Sequence, residues 1–309
     1  MLLLKKLIFA LFLFLAVYPR AFAADEIRVV TTTKTFADIV KQVGSERVKV
    51  DYVAPPGQNI HFIQPRPSTI VKLIKADLFI HAGLDLEAWR GPFVEAAGKS
   101  KFLPGGDAEL DLSNGIRLLE IPQGQVTRAE GDMHLFGNPH YWTDPRNGKI
   151  MARTVYQKLS EMYPEYENEF RKNLEQFLSK LDKKIIEWQN CLKPLHGGRI
   201  VTYHNSWPYF ADFAGVEIAD HIETRPGIPP TIRHIAKLIK LMRDEKVKVI
   251  VHESYFEKTT PKKLAKQTGA RVIELASSVG ENKDAKDYFA MFNYNVNTLS
   301  EALKAGNNV

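Results

Sequence analysis

Short apolar runs followed by amphipathic helices recur along this chain, and they limit the folds open to it more than any other feature. The first unit begins with the β-rich run from Ile27 to Thr32 and continues at helical spacing through Phe36, Ile39 and Val40. Strands separated by helices favour parallel pairing, in sheets whose faces the helices cover. The sequence therefore predicts an α/β protein with parallel sheets flanked by helices.

Two of these units resemble each other. The stretches PSTIVKLIKADLFIHAG and PPTIRHIAKLIKLMRDEKVKVIVHES both run from proline through Thr-Ile and an apolar helix to a buried strand. In the first stretch the predicted strand covers Leu78 to His81 and stops at Gly83. A chain of this length can bury two cores. The repetition predicts two similar lobes, and a chance likeness of two βα units is the alternative.

A long apolar stripe lies between the two lobes. After Pro164, seven apolar residues recur at spacings of four and three, namely Phe170, Leu174, Phe177, Leu181, Ile185, Trp188 and Leu192. Such spacing places them on one face of a single helix. A helix of about 28 residues spans roughly 42 Å, more than one small lobe requires. A coiled-coil dimer is the alternative, but two aromatic residues on the stripe fit packing against lobes better.

The predicted organisation follows from these patterns. We expect a signal peptide at 1–23, an N-terminal α/β lobe at 24–146, a linking region with the long helix at 147–195, and a C-terminal α/β lobe at 196–309. One long rigid helix should join the lobes and restrict large hinge motions. We expect the protein to be a monomer.

The first residues have the features of a secretory signal. Lys5 and Lys6 precede a short apolar run from Leu7 to Val17, and the tripeptide AFA that ends at Ala23 resembles a cleavage site. The run is shorter than the ~20 residues of a membrane-spanning helix, which disfavours an uncleaved anchor. We predict cleavage after Ala23 and a soluble, exported product. No cysteine lies beside that site, so we expect no lipid anchor.

Charge and cysteine content exclude some classes of protein. Removing Lys5, Lys6 and Arg20 with the leader lowers the formal net charge from +6 to about +3. The remaining positive charge is spread along the chain, which gives no support for nucleic-acid binding. The single cysteine, Cys191, cannot form an internal disulfide, so stability must come from burial.

Three of the nine histidines share one setting. His61, His140 and His204 lie in loops that follow predicted strands or precede predicted helices. Ligands of open α/β sheets gather outside the carboxyl ends of the strands, where such loops lie. Neutral imidazoles suit a borderline metal such as Zn²⁺. These three residues are therefore candidate metal ligands, and metal affinity should fall below pH ~6.5 as imidazoles become protonated.

Three motifs carry a resemblance to a known family. They are IHFIQPRPSTIVKLIKADLFIHAGLDLEAW, NPHYWTDP and VTYHNSWPYFADFAGVEI. In these the chain resembles the zinc- and manganese-binding periplasmic solute-binding proteins of ABC importers, the TroA-like or ZnuA-type family. The likeness covers essentially the whole mature chain, including the long helix. It implies that the product is periplasmic, that His61, His140 and His204 bind the metal, and that an ABC transporter permease in the membrane is the partner.

The fourth metal ligand of the family has no clear counterpart here. Many relatives have an aspartate where the loop ASSVGEN places Ser277 and Ser278. The fourth ligand could be water, the Ser278 hydroxyl, or a carboxylate from elsewhere. Glu223 is a candidate because it corresponds to His61 when the two Thr-Ile units are superposed.

The ligand set bears on the choice of metal. Manganese-binding relatives generally offer two carboxylates, in keeping with the preference of Mn²⁺ for oxygen ligands. Three histidines without an assured acid favour zinc over manganese. His134 lies where some zinc-binding relatives carry a longer histidine-rich loop, and it is either a capture residue or part of a plain surface loop.

Two acidic residues have supporting roles in this interpretation. Asp144 is predicted to cap a helix that begins at Pro145, which would hold the loop of His140 in place; bonding to a ligand imidazole is its alternative role. Glu253 resembles a buried acid of the family. We expect it to form a structural ion pair rather than a metal bond.

The predicted function is that of an extracytoplasmic binding protein, not an enzyme. It would capture Zn²⁺ in an inter-lobe cleft and deliver it to the permease for import. A Mn²⁺ receptor of the same family is the alternative. An exported zinc hydrolase is a third possibility, but the sequence has no His-Glu-x-x-His helix and no evident general base beside a ligand loop.

Overall fold

The computed structural model of the protein describes residues 26–123, 134–224 and 227–307. The predicted signal peptide, 1–23, and its cleavage site lie outside the described residues. Within them, the elements form two four-stranded parallel sheets covered by helices.

The first sheet is built from the N-terminal part of the chain. Its strands are β1 (Ile27–Thr33), β2 (Val48–Ala54), β3 (Leu78–His81) and β4 (Glu109–Asp111), and the helices between them are α1 (Lys34–Gly44), α2 (Pro67–Ile74) and α3 (Arg90–Ala97). The spatial order is β2-β1-β3-β4, with every pairing parallel. The predicted buried strand 78–81 is confirmed.

Two helices then carry the chain to the second sheet, α4 (Pro145–Met162) and α5 (Glu167–Leu192). The buried residues of α5 are those of the predicted apolar stripe, from Phe170 to Leu192. The prediction of one long helix is confirmed; its first residue lies just after the short 3₁₀ turn Pro164–Tyr166.

The second sheet repeats the plan of the first. Its strands are β5 (Arg199–Thr202), β6 (Glu217–His221), β7 (Val249–His252) and β8 (Arg271–Glu274), with helices α6 (Pro208–Ala214), α7 (Ile232–Asp244), α8 (Thr259–Thr268) and α9 (Tyr288–Asn307). The order β6-β5-β7-β8 matches that of the first sheet strand for strand, again all parallel. The prediction of two similarly built halves is therefore confirmed.

The apolar face of α5 packs against elements of both halves. It contacts α1 beside the first sheet and α9 beside the second. The contact with α9 is aromatic: the rings of Trp188 and Phe292 are 5.3 Å apart, and those of Phe177 and Tyr288 are 5.9 Å apart. Trp188 also donates its indole N–H to the side chain of Asn293, at 2.8 Å. One continuous core thus runs across both halves through α5.

The topology brings the predicted site residues to one end of each sheet. In a parallel sheet all strands end at the same edge. His61 lies in the loop after β2, and His204, Glu223 and Glu253 follow the ends of β5, β6 and β7 within two residues. The strands β1 and β5, which hold the same position in their sheets, share a contact near their carboxyl ends. Thr31 and Thr202 each donate a hydroxyl hydrogen bond to the carbonyl two residues ahead, at 2.7 and 2.8 Å.

Two alanine substitutions on α5 test the role of its apolar stripe. Leu181 is fully buried and Ile186 is 60% exposed on the same helix. Leu181→Ala should lower the free energy of unfolding by about 2–5 kcal/mol, because it leaves a cavity in the shared core. Ile186→Ala should change it by less than about 0.5 kcal/mol. Urea unfolding followed by circular dichroism measures both; equal losses would show that the stripe does not hold the halves together.

Candidate metal centre

The side chains of His61, His140 and His204 meet at one point, although they come from three separate loops. One ring nitrogen from each lies within 4.8 Å of the others. Their ring centres are 5.2 to 5.4 Å apart, and His61 Nε2 lies 3.1 Å from His140 Nε2. All three side chains are buried, with at most 8% of their surface exposed.

A single 3₁₀ turn, Ile60–Phe62, presents His61. The side chain of Asn59 caps this turn by accepting the backbone N–H of His61, at 3.1 Å. Trp89 donates its indole N–H to the carbonyl of Ile60, at 2.7 Å. These two bonds fix the backbone beside the imidazole, so the Pro-rich loop around it has a defined shape.

Asn138 orients His140. Its side-chain oxygen accepts the backbone N–H of His140 at 3.0 Å and lies 3.1 Å from the Nδ1 of the same residue. Because an amide oxygen can only accept, the proton of the neutral imidazole lies on Nδ1. Nε2 then carries the lone pair and faces the cluster, as a metal ligand requires.

Glu223 orients His204 in the same way. Its Oε2 lies 2.6 Å from His204 Nδ1, and its Oε1 accepts the backbone N–H of Gly227 at 2.8 Å. A carboxylate on Nδ1 leaves Nε2 of His204 for the metal and raises its basicity. Glu223 is thus held on the outer side of the imidazole. Within the described chain, Glu223 is not among the residues whose ligand atoms meet at the cluster.

Burial keeps the imidazoles of His61 and His140 neutral. Burial lowers the pKa of His61 well below its ordinary value, and the neighbouring His204 and His134 lower it further. The pKa of His140 is also well below the ordinary value, first from burial and then from His61, His204 and His134. Positive charges on both His61 and His140, whose Nε2 atoms are 3.1 Å apart, would repel each other strongly. His61 and His140 therefore resist protonation, and neutral imidazoles are the form that binds metal.

The arrangement has the chemistry of a site for a borderline divalent cation. Two imidazole nitrogens that face each other repel unless a proton or a cation lies between them. Zinc takes imidazole nitrogen at about 2.0–2.1 Å and is usually four-coordinate. Three imidazoles that meet at one point, two of them held by outer hydrogen bonds on Nδ1, supply three of the four ligands. The cluster therefore fits a borderline divalent cation as a cargo ion.

The other proposed fourth ligand, Ser278, is engaged elsewhere. Its hydroxyl lies 3.2 Å from the hydroxyl of Thr35, and its backbone N–H donates to Glu281 at 3.2 Å. Glu281 also accepts the backbone N–H and the hydroxyl of Ser277, at 2.7 and 3.0 Å. The loop ASSVGEN is therefore organised around its own carboxylate.

Asp144 caps α4. Its Oδ1 accepts the backbone N–H of Arg146 at 2.7 Å, Pro145 occupies the first helical position, and the guanidinium of Arg146 binds the same carboxylate. The Asp144 carboxylate is thus bound by Arg146, which favours the capping role over a bond to a ligand imidazole. The start of α4 fixes the turn Tyr141–Thr143 that follows His140.

The expectation that Glu253 forms an ion pair is wrong for the part of the chain described here. Glu253 is fully buried, and its Oε1 accepts the indole N–H of Trp207 at 3.1 Å. Burial raises its pKa to about 8. A carboxyl group without a cation nearby lowers its desolvation penalty by keeping its proton, so Glu253 does not need an ionic partner.

Some side chains that hold the ligand loops together were not predicted from the sequence. Glu120 accepts amide N–H bonds from Asn138 at 2.9 Å and from Asn205 at 2.8 Å. Asn138 also donates to the backbone carbonyl of Asn205, at 2.9 Å. Because Asn138 holds His140 and Asn205 follows His204, these bonds tie ligand loops from the two halves.

A signal for the asparagines is present in the sequence. Asn59 and Asn138 each stand two residues before a candidate ligand, and each accepts the backbone N–H of that histidine. The pattern Asn-x-His thus marks two of the three loops. No comparable pattern identifies Glu120, because its contacts depend on the packing of the two halves.

His134 lies against the outer side of the cluster. Its ring stacks on His61, with centres 5.1 Å apart, and lies 6.2 Å from the ring of His140. Of the two alternatives for this residue, a position beside the three inner imidazoles favours a role at the site over a plain surface loop.

Most of the chain matches one known protein family. A family model described as ZnuA, zinc-uptake complex component A, periplasmic, matches residues 29–302. The chain belongs to this family. The match confirms the resemblance seen in the three histidine motifs, and the role of the family in metal uptake agrees with the predicted binding protein of a metal importer.

Curated relatives and solved structures agree with this assignment. The chain is 27% identical over 290 residues to the manganese ABC transporter substrate-binding lipoprotein PsaA of Streptococcus pneumoniae, covering 91% of this chain and 90% of that protein. It is 28% identical to the iron-binding protein YfeA of Yersinia pestis, covering 90% and 86%. A crystal structure of ZnuA matches with a TM-score of 0.76 at 21% identity, covering 90% of this chain and 100% of that one. This last likeness shows the fold.

The relatives named here are substrate-binding proteins and metal-binding proteins rather than enzymes, which agrees with the predicted class. Their names differ in the metal, so family membership fixes metal binding and leaves the metal to be argued from the site. No helix in the three described ranges combines the length and apolar character needed to cross a membrane.

The lowered pKa values predict a pH dependence for the metal-free protein. An unfolded histidine titrates near 6.5, whereas the pKa values of His61 and His140 lie well below that value when folded. Below pH ~6.5 the unfolded chain therefore binds protons that the folded chain does not, and the free energy of unfolding falls by about 1.4 kcal/mol per pH unit for each such histidine. Metal binding by His61 and His140 should likewise persist below pH ~6.5, where the sequence alone predicts that affinity falls.

Urea unfolding at pH 7.5 and 5.5 measures this effect. His140→Gln removes one titrating group, so its loss of stability between the two pH values should be smaller than that of the wild type. The raised pKa of Glu253 favours the folded state at lower pH and so opposes the effect of the histidines. This contribution is present in both proteins and cancels when the stability loss of the variant is subtracted from that of the wild type. Identical pH slopes would contradict the neutral buried state of His140.

Proposed function

We propose that this protein captures Zn²⁺ with His61, His140 and His204 and delivers it to the membrane permease of an ABC importer. The observation that carries the proposal is the convergence of three buried imidazoles with their ring nitrogens within 4.8 Å. Family membership supports the transport role. The orientation of His140 by Asn138 and of His204 by Glu223 supports ligation through Nε2.

The donor set supports zinc over manganese. The residues that meet at the cluster are histidines, and within the described chain no carboxylate joins them. Manganese prefers carboxylate, carbonyl and water oxygens, whereas imidazole suits zinc, copper, iron and nickel. PsaA is named for manganese and YfeA for iron. Mn²⁺ is therefore the alternative cargo that an experiment must test.

The remaining parts of the proposal concern delivery. The protein would act as an extracytoplasmic monomer whose lobes, 24–146 and 196–309, are joined by the linking region 147–195. Because α5 packs on both halves, release at the permease would need only a small shift between the ligand loops. Cleavage after Ala23 without a lipid anchor stays a prediction, and PsaA is named a lipoprotein.

Replacing one inner imidazole tests the site. His140→Ala should lower zinc affinity by more than about 100-fold, since even outer partners of metal ligands contribute 10- to 100-fold. His196→Ala is the matched control, because His196 is exposed before β5, at the strand end opposite His204. Competition with a zinc chelator measures both. Unchanged affinity in His140→Ala would remove the assignment.

Metal competition tests the cargo. The stripped protein should bind one Zn²⁺, and a large excess of Mn²⁺ should fail to displace it, because the cluster offers nitrogen donors. Isothermal titration and metal analysis by mass spectrometry give stoichiometry and preference. Tight Mn²⁺ binding with weak Zn²⁺ binding would support the manganese alternative. Metal-dependent turnover of ester or peptide substrates would support the hydrolase instead.

A further inference from the structure

A fourth imidazole is held beside the three that form the cluster. His134 stacks on His61 with ring centres 5.1 Å apart, and its ring centre lies 6.2 Å from that of His140. Its side chain is only 13% exposed. His134 lies six residues before His140, in the stretch of chain that leads into the loop of His140.

Asp85 fixes the position of His134. One carboxylate oxygen of Asp85 lies 2.9 Å from His134 Nδ1, and the other accepts the backbone N–H of Leu135 at 3.1 Å. Both contacts hold the same short segment against the cluster. A carboxylate on Nδ1 places the lone pair of the neutral imidazole on Nε2, as Glu223 does for His204.

The backbone that presents Asp85 is strained. Leu84 and Asp85 both have φ of 52°, in the left-handed region that non-glycine residues rarely adopt. Two consecutive residues in this region persist only where the surroundings impose the conformation, and such positions cluster at functional sites. Here the conformation places the Asp85 carboxylate against His134. An unconstrained surface loop would not need two consecutive residues in this region.

We propose that His134 is the fourth ligand of the metal, presented by Asp85, and that the loaded site is made of four imidazoles. This inference rests on the proposed function. Four imidazoles bound tetrahedrally to one zinc at 2.0–2.1 Å have ring centres about 5.2 Å apart. The three inner rings are 5.2 to 5.4 Å apart, and His61 and His134 are 5.1 Å apart.

The ring of His134 must move to complete the site. His134 is not among the residues whose ligand atoms already lie within 4.8 Å of one another, and its ring centre is 6.2 Å from that of His140, so the ring must turn and shift toward the cluster when the metal binds. The other candidates for the fourth position have other partners, since Glu223 binds His204 from outside and Ser278 bonds to Thr35. A fourth nitrogen would also strengthen the preference for zinc over manganese.

X-ray absorption of the zinc-loaded protein counts the imidazoles. Wild type should show four nitrogen ligands with imidazole scattering, and His134→Ala should show three and one solvent oxygen, with affinity lowered about 10- to 100-fold. Phe136→Ala is the matched control, because it alters an exposed side chain of the same segment and leaves the His134 imidazole and both contacts of Asp85 in place. It should behave as wild type.

Exogenous ligands give a second measurement. In the Co²⁺-loaded protein, azide should leave the visible spectrum of wild type unchanged, because no coordination position is open. It should bind to His134→Ala and shift the spectrum, and added imidazole should compete with it there. Asp85→Gly, which tolerates the positive φ and removes the carboxylate, should lower zinc affinity in the same direction.

The outcomes separate the two proposals. If His140→Ala loses zinc while His134→Ala keeps wild-type affinity and the same imidazole count, the fourth ligand is not His134 and the transport site stands. Azide binding to wild type would likewise exclude His134 as the fourth ligand. If His140→Ala keeps zinc, the three-histidine site fails and the four-imidazole site fails with it.

Discussion

Two imidazole nitrogens, His61 Nε2 and His140 Nε2, lie 3.1 Å apart inside the protein, and His204 completes a triangle around the same point. Such a contact is unfavourable without a shared proton or a cation, because the lone pairs face each other and water is largely excluded. The surrounding structure makes the contact persist. Acceptors on Nδ1 fix the tautomers, and hydrogen bonds through Glu120 tie the loops that carry them.

The rest of the fold serves to bring these loops together. Both sheets end their strands toward the loops that carry the ligands, and α5 packs on both halves so that the ends keep a common position. A stiff frame with polar ligand loops suits a protein that must hold an ion and then release it through small movements. The bonds between Glu120, Asn138 and Asn205 join loops of opposite halves.

Much of the fold follows from the sequence pattern. The stripe from Phe170 to Leu192 specifies which face of α5 is buried, because helical periodicity is a local property. The strand Leu78–His81 and the repetition of the two halves follow from local pattern as well. The ion pair expected for Glu253 is absent from the described chain, because what surrounds a buried carboxyl group depends on packing that no local pattern records.

The amino-acid sequence was sufficient to place His61 and His204 in loops after strands and His140 in a loop before a helix, and the family motifs marked them as a set. Their surroundings became known only from the folded chain. There Glu223 lies behind His204, Ser278 against Thr35, and Asp85 beside His134, in contacts between residues far apart in the sequence. Periodicity fixes which elements form and where they end. The distance between two side chains is fixed by how the elements pack, so the environment of the site emerged only in three dimensions.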